Sequence, residues 1–496
     1  MYNPSLKEFL RLTKKGNVIP VYREIKAGLD TPLSSLLKIK KGNYAFLLES
    51  VEGRRKLARY SFLGSEPSLV FRCKGKRIQI DYPGKKQARR FSAEAGVLEE
   101  IKKIMRGYLA VAVKGLPRFY GGLVGYIGYD AVRFFENIPD KNPDDLGLAD
   151  CVLMLTDSIL IFDHLKHSVK IVNNVILPRG KAKLRPPDKT RLYRRAIKKI
   201  ESIYRDFRKT PGAKERETKA RLKAAISSNF TKKEFMDRVN KAKAYIKQGD
   251  IIQVVLSQRF TLKTAKPPFD IYRALRSLNP SPYMYFLELK NIKIIGSSPE
   301  MLVRCEEGIM QTRPIAGTRP RGNSGEEDRR LEKELLHDEK EKAEHLMLVG
   351  LGRNDLGRVA QTGSIVLSEF MGIEKYSHVM HLVSEVRGKL DKKRFDIYDV
   401  LRAAFPAGTV SGSPKIRAMQ IIDELENVRR GPYAGCVGYF SFSHNLDTCI
   451  TIRTILIRGQ TAYIQAGAGI VADSVPAREY QETVNKAKAL VEAIVK

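Results

Sequence analysis

The 496-residue chain has no tryptophan at all and only five cysteines. The missing indole excludes no fold by itself. The cysteines, Cys73, Cys151, Cys305, Cys436 and Cys449, include no C-x-x-C pair. An odd and scattered set argues against a disulfide-built scaffold and for reduced thiols in the cytoplasm. No apolar run approaches the roughly 18 residues of a membrane-spanning helix. Residues 1–16 hold no continuous apolar stretch and no small-residue cleavage site, so they do not read as a signal peptide. H-E-x-x-H, G-x-S-x-G and Cys–His pairings are missing too, which leaves zinc hydrolysis and nucleophilic hydrolysis without support.

Acidic residues are also in short supply. There are 55 Asp and Glu against 89 Lys and Arg, a net charge of +34. Such a balance raises nucleic acid or an acidic surface as a partner. The distribution weakens that idea. Between Arg179 and Lys223 stand eighteen basic and five acidic residues, in a stretch punctuated by Pro178, Gly180, Pro186, Pro187 and Pro211-Gly212. It reads as a solvated basic connection holding one amphipathic helix near Arg191–Arg208, with Leu192, Ile197, Ile200 and Ile203 inward. No nucleic-acid module accompanies it. A positive surface also attracts anionic small substrates.

The apolar pattern divides the chain into residues 1–178, the basic connection 179–228, and a second unit at 229–496. Strands are expected at Tyr44–Leu48, Leu69–Arg72, Ile78–Ile80, Leu153–Phe162, Ile251–Leu256, Tyr283–Leu289, Ile292–Ile295, Gly435–Phe442, Cys449–Ile457 and Ala462–Gln465. Thr231-Lys-Lys-Glu234 is a capping box opening a helix that Gly249 ends. Further helices are expected at Glu326–Val349, Ile397–Ala404, Pro414–Leu425 and Ala477–Val495. Strands and helices do not alternate strictly. The reading is therefore α+β, with two largely antiparallel sheets and flanking helices.

Two acidic signatures carry the most chemical information: Glu341-Lys-Ala-Glu344 and Glu479-Tyr-Gln-Glu482. On a helix, positions i and i+3 share a face. Alone, each pair is an ordinary solvated acidic face. If the two faces meet, four carboxylates converge, and they cannot all stay ionised in a dry site. A hard cation with oxygen ligands, such as Mg²⁺, relieves that repulsion. Gly467-Ala468-Gly469 reads as a loop whose backbone N–H groups can bind a carboxylate, or as a simple tight turn. Gly408-Thr-Val-Ser-Gly-Ser-Pro-Lys415 has the wrong spacing for a nucleotide phosphate loop. Arg453 lies in a β-rich run. Pointing inward it needs a carboxylate partner; pointing outward it needs none.

Ten ordered segments together resemble the chorismate-utilising enzymes, and among them the anthranilate synthase component I branch. They are LLES (47–50), NPSPYM (279–284), GSSPEMLVR (296–304), TRPIAGTRPRG (312–322), DEKEKAEHLMLV (338–349), YSHVMHLVSEV (376–386), FPAGTVSGSPK (405–415), YAGCVGYFSF (433–442), DTCITIRT (447–454), and AGAGIVADS with EYQET. The resemblance implies a two-sheet chorismate-binding fold. It also implies a Mg²⁺-dependent amination of chorismate by ammonia, followed by loss of pyruvate.

By the same resemblance, Glu344 and Glu482 are metal ligands, supported by Glu341 and Glu479. Gly317, Thr318, Tyr433, Arg453 and the Gly467, Ala468 and Gly469 backbone hold the substrate carboxylates. Glu300 is the acid for the departing hydroxyl, His381 acts in the pyruvate step, and Thr409 lines the same pocket. Gln253 occupies the place where water-adding relatives carry a lysine base; an amide takes up no proton, which favours ammonia as nucleophile. Ala316 replaces the nucleophilic lysine of aminodeoxychorismate relatives. LLES and NPSPYM imply an allosteric tryptophan pocket formed by Glu49, Ser50, Pro282, Tyr283 and Met284. No cysteine lies in a G-x-C-x-G turn, so ammonia is expected from a glutamine amidotransferase subunit, in a heterotetramer. Gly350 departs from the family's pattern, which has an Asp there.

Overall fold

In this computed structural model, residues 1–51, 59–84, 88–178, 185–209, 225–376 and 379–495 are described. Two antiparallel sheets of 13 and 12 strands form the frame. Each takes strands from both sides of the basic connection. In the first, Tyr44–Glu49 pairs with Tyr283–Leu289. In the second, Gly122–Ile127 pairs with Cys436–Ser441. Glycine makes the second join possible. A Cβ on Gly122 would sit 2.1 Å from the Phe440 carbonyl, and one on Gly125 would sit 2.0 Å from that of Val152.

Strand side chains alternate between faces, and here both faces are buried. Phe46 and Tyr285 join Tyr126 and Tyr439 in the core between the sheets. Their neighbours Leu47 and Phe286 pack instead under helices, with Tyr272, Leu275 and Leu490. A third cluster lies under the helices of the second sheet and includes Leu401, Met419 and Val349. Among the described residues, no helix is long and apolar enough to cross a membrane.

Most expected elements are present. Thr231 and Glu234 form a reciprocal capping box on Lys232–Lys247. The helix of the basic connection starts earlier than the apolar spacing indicates, at Pro186, because Pro186 and Pro187 fit its first turn. It buries Tyr193, Ala196, Ile200 and Phe207 and exposes Arg191, Arg194, Arg195 and Lys198. That is a solvated basic face on an anchored helix.

Four expectations need correction. Leu153–Phe162 is two strands, Cys151–Thr156 and Ser158–Asp163, lying in different sheets. Cys449–Ile457 is likewise two, Leu446–Ile450 and Thr454–Arg458, again in different sheets. An apolar run buried on both faces has no period that marks such a crossing. Gly467–Gly469 is not a loop but the end of the strand Thr461–Ile470. Finally, Glu326–Val349 is two helices, Gly325–His337 and Glu339–Gly357. Asp338 divides them: its carboxylate accepts the Lys340 and Glu341 amides and caps the second helix.

Gly350 is exposed on the 339–357 helix, and a Cβ there would meet nothing within 4 Å. It lies about 120° around the helix from Glu344, at 3.6 residues per turn. An acidic side chain at this position would therefore face solvent. Gly350→Ala is expected to raise stability by about 0.5–1 kcal/mol, because glycine loses more backbone freedom in a helix. Urea unfolding checks this, and activity should not change.

Candidate active site

The site lies along the seam where the chain passes between the sheets. One passage joins Ile292–Ser298 of the first sheet to Met301–Glu306 of the second, and Glu300 sits in it. Another joins Leu446–Ile450 to Thr454–Arg458, and Arg453 sits there in the left-handed region, with φ +48°. The two passages are tied together by Ile450 N donating to Glu300 O at 3.1 Å. An arginine in that backbone region carries local strain, a feature that clusters at functional positions.

Glu341 and Glu344 project from the first turns of the 339–357 helix. Glu479 and Glu482 project from the start of the helix Pro476–Val495. Burial pushes the Glu341 carboxyl up, and the neighbouring Glu344 adds to the shift. Burial does the same to Glu479, with Glu482 adding to it. Lys340 of the first helix is near enough to Glu479 of the second to pull it back down. The two helix starts are therefore within electrostatic reach of each other. Gln253 lies between Glu344 and the strand that leads to the second helix: its Nε2 donates to Glu344 Oε1 at 3.2 Å, while its buried Oε1 has no hydrogen-bond partner. The donors are all oxygen, and two half-buried carboxylates are held above their usual range, so these residues fit a hard divalent cation. Among the described residues, no three His, Cys, Asp or Glu side chains stand close enough to hold a metal by themselves.

Opposite the acidic groups is a cradle of the other sign. Arg453 is half-buried, and its resolved side-chain bond is a long one, Nη1 to Asn279 Oδ1 at 3.4 Å. Among the described residues it has no carboxylate partner, and burial lowers its pKa. Lys486 donates to Gly467 O at 3.0 Å. In an antiparallel strand a residue's N–H and C=O point the same way. The Gly467 amide, and by the two-residue repeat that of Gly469, thus point away from the partner strand Gln253–Lys263. The strand on their other side pairs only as far as Ile464. Ala468 points its backbone the opposite way, into the sheet. Glycine is needed here: a Cβ on Gly467 would lie 2.7 Å from the Tyr433 hydroxyl, and one on Gly469 would lie 2.6 Å from Gln253 Nε2.

Glu300 is buried, which pushes its carboxyl up to about 8 against the opposing pull of Thr409 and Lys486. It is therefore a protonated acid at neutral pH. His381 Nδ1 is 3.1 Å from Gly317 O and 3.0 Å from Thr318 Oγ1. A carbonyl oxygen only accepts, so Nδ1 carries the proton and Nε2 keeps a lone pair. Burial lowers the His381 pKa, which keeps the ring neutral. Gly317 links this group to the acidic helix, since a Cβ on it would lie 3.1 Å from Glu341 Oε2.

The second predicted group assembles at the strand joint. Glu49 is the register partner of Met284. Its buried carboxyl accepts from the Tyr272 hydroxyl and lies 3.3 Å from Arg276 Nε. Burial raises it, opposed by Arg276 and Tyr272. Val51 N donates to Ser281 O at 3.3 Å, which holds Ser50 beside the 279–284 turn. Pro282 and Met284 are buried there, while the Tyr283 hydroxyl reaches Asp447 Oδ1 at 3.0 Å. Residues 52–58, which follow, lie outside the described set.

Two participants escape the sequence reading. Lys486 touches both Gly467 O and, at 2.7 Å, Glu482 Oε1; its i+4 spacing from Glu482 is a legible signal. Asn279 joins the 279–284 turn to Arg453, a contact across 174 positions that no local pattern carries.

The comparisons agree with this geometry. Residues 44–492 match the family described as chorismate binding enzyme. Anthranilate synthase component 1 of Acetivibrio thermocellus is 49% identical over 500 residues, covering 100% of this chain and 99% of the relative. That of Aquifex aeolicus is 52% identical over 497 residues, covering 99% and 98%. The crystal structure of anthranilate synthase component I from Streptococcus pneumoniae superposes with a TM-score of 0.77 at 36% identity, covering 94% of this chain and 98% of that one. The chain thus belongs to the chorismate-binding enzymes, in the anthranilate synthase component I group.

Proposed function

We propose that this chain aminates chorismate with ammonia, expels the ring hydroxyl as water, and then eliminates pyruvate to give anthranilate. Mg²⁺ is the cofactor, a glutamine amidotransferase subunit supplies the ammonia, and tryptophan inhibits. The observation that carries the reading is the pairing of opposite shortages across one cleft. Paired carboxylates there, partly withdrawn from water, have too little positive charge, and a half-buried guanidinium has no carboxylate among the described residues.

Chorismate is an anion with two carboxylates, a ring hydroxyl and an enolpyruvyl ether. Arg453 binds one carboxylate as a charge-assisted pair. The Gly467 and Gly469 amides and the Tyr433 hydroxyl offer donors beside it. Glu344 and Glu482, supported by Glu341 and Glu479, would hold Mg²⁺, with water and substrate completing its coordination. The bound metal supplies Lewis acidity and a template for the ring carboxylate. Glu300 donates its proton to the hydroxyl as it leaves. Gln253 takes up no proton, so the attacking group arrives as neutral ammonia. His381 accepts the ring proton on Nε2 as pyruvate departs. Asn279 supports the regulatory reading, since the turn that would contact tryptophan also holds the arginine that would contact substrate. Tryptophan inhibits only if it binds one arrangement of that turn better than another.

Incubation with chorismate, Mg²⁺ and an ammonium salt should yield fluorescent anthranilate; isochorismate, salicylate or aminodeoxychorismate would contradict the reading. Glu344→Gln and Glu482→Gln should each lower Mg²⁺-dependent turnover by more than about 100-fold, beyond what loss of an outer-shell partner does. Circular dichroism should show an unchanged fold, and near-normal turnover would remove the ligand assignment. Glu300 is active as an acid below its pKa. The rate should therefore fall as pH rises through about 8, and Glu300→Gln should lower kcat and abolish that limb. Ser50→Ala should weaken tryptophan inhibition by about tenfold or more, the worth of one hydrogen bond to a charged group. Its uninhibited rate should stay nearly normal, and an unchanged inhibition curve would reject the pocket.

A further inference from the structure

Glu300 and Thr409 also border a small cavity of about 30 Å³ behind the site. Small-molecule sites run to roughly 300–1,000 Å³, so it is not a chorismate pocket. A single water needs about 10–15 Å³, so one or two waters fit. Leu351 and Gly352 of the 339–357 helix and Ala404 at the end of the helix Ile397–Ala404 form its apolar walls. Asp355 also lines it and is held by Lys415 Nζ at 2.8 Å. The Thr409 hydroxyl is buried and faces the Glu300 carboxyl, with its remaining hydrogen-bonding capacity unused. Packing voids are lined by apolar groups and stay dry, whereas a cavity with several polar groups holds water.

We propose that this cavity receives the water released from the substrate ring. The inference rests on Glu300 being the acid of the proposed reaction. As the ring C–O bond breaks, its electron pair stays on oxygen and the Glu300 proton joins it. The products of that step are water and a Glu300 carboxylate. Ammonia forms the new C–N bond as the ring double bonds shift, and the resulting ammonium gives one proton to solvent. Once Glu300 regains a proton from solvent, the sum is ammonia plus ring alcohol to ring amine plus water. By microscopic reversibility, the Glu300 carboxylate can deprotonate the same water and send it back to the ring. Withdrawal into the cavity separates water from ring before that happens. The Thr409 hydroxyl beside Glu300 supplies a hydrogen bond to it, and Asp355 adds a further polar group to the lining.

Ala404→Leu fills the cavity without touching a group that handles substrate. It should leave the chorismate KM unchanged and Tm unchanged or higher, while kcat falls by about tenfold, the pattern of a lost step after binding. An unchanged kcat in the folded variant overturns the proposal. A raised chorismate KM overturns it too, since the cavity would then be part of the substrate pocket. Should Ala404→Leu fail to fold, Ala404→Val makes a smaller filling and should show the same split. A crystal structure of the unaltered protein gives an independent check. Ordered water bonded to the Thr409 hydroxyl and the Glu300 carboxyl is expected, and a dry cavity overturns the proposal. Failure of the acid assignment is a separate result: it appears as near-normal kcat in Glu300→Gln, whatever the cavity variants do.

Discussion

Carboxylates held partly out of water, in pairs, on two helices remote in sequence impose the governing constraint. At Glu341 and Glu479, burial and the like charge of Glu344 and Glu482 both push the proton on. Lys340, Lys486 and Arg319 relieve only part of this, from the edges. In the proposed function, a divalent cation completes the balance, and an anionic substrate then completes the coordination of the cation. The neighbouring guanidinium of Arg453, half-buried and without a carboxylate among the described residues, states the same incompleteness with opposite sign. Each half lacks what the other's ligand brings.

The frame makes this pairing possible because the chain changes sheets repeatedly at one place. A continuous strand could not have presented Arg453 or Glu300, since strand side chains point only into one of two packed faces. At the crossings the backbone turns out of both sheets. Glu300 and Arg453 emerge there, and the Ile450–Glu300 hydrogen bond fixes the spacing of the two crossings. The same strand joint that carries Glu49 and Met284 leads, through Asn279, to Arg453. In the proposed function, regulation and substrate binding would share a few residues of backbone, and no long pathway has to be invoked.

Much of this was legible in the sequence, for identifiable reasons. Helices with a narrow apolar stripe and clear caps, such as Lys232–Lys247 with its Thr231–Glu234 box, announce their own limits. So does the pairing of acidic residues at i and i+3. The crossings at Asp157 and at Arg453 were not legible, because strands buried on both faces carry no alternation to interrupt. The break at Asp338 was missed for a related reason: helical spacing continues through a residue whose side chain caps the next helix. Gly467–Gly469 was misplaced as a loop. Glycines that mark a turn and glycines that let a strand approach a tyrosine hydroxyl and a glutamine amide look alike without the partner strand. Lys486 could have been found from its spacing to Glu482; Asn279 could not.

The most direct test is the position of the metal itself. A crystal structure grown with Mn²⁺ in place of Mg²⁺ marks the ion by its anomalous signal. One ion coordinated by Glu344 from the first helix and Glu482 from the second is predicted. An ion bound elsewhere, or held by one helix alone, would contradict the account.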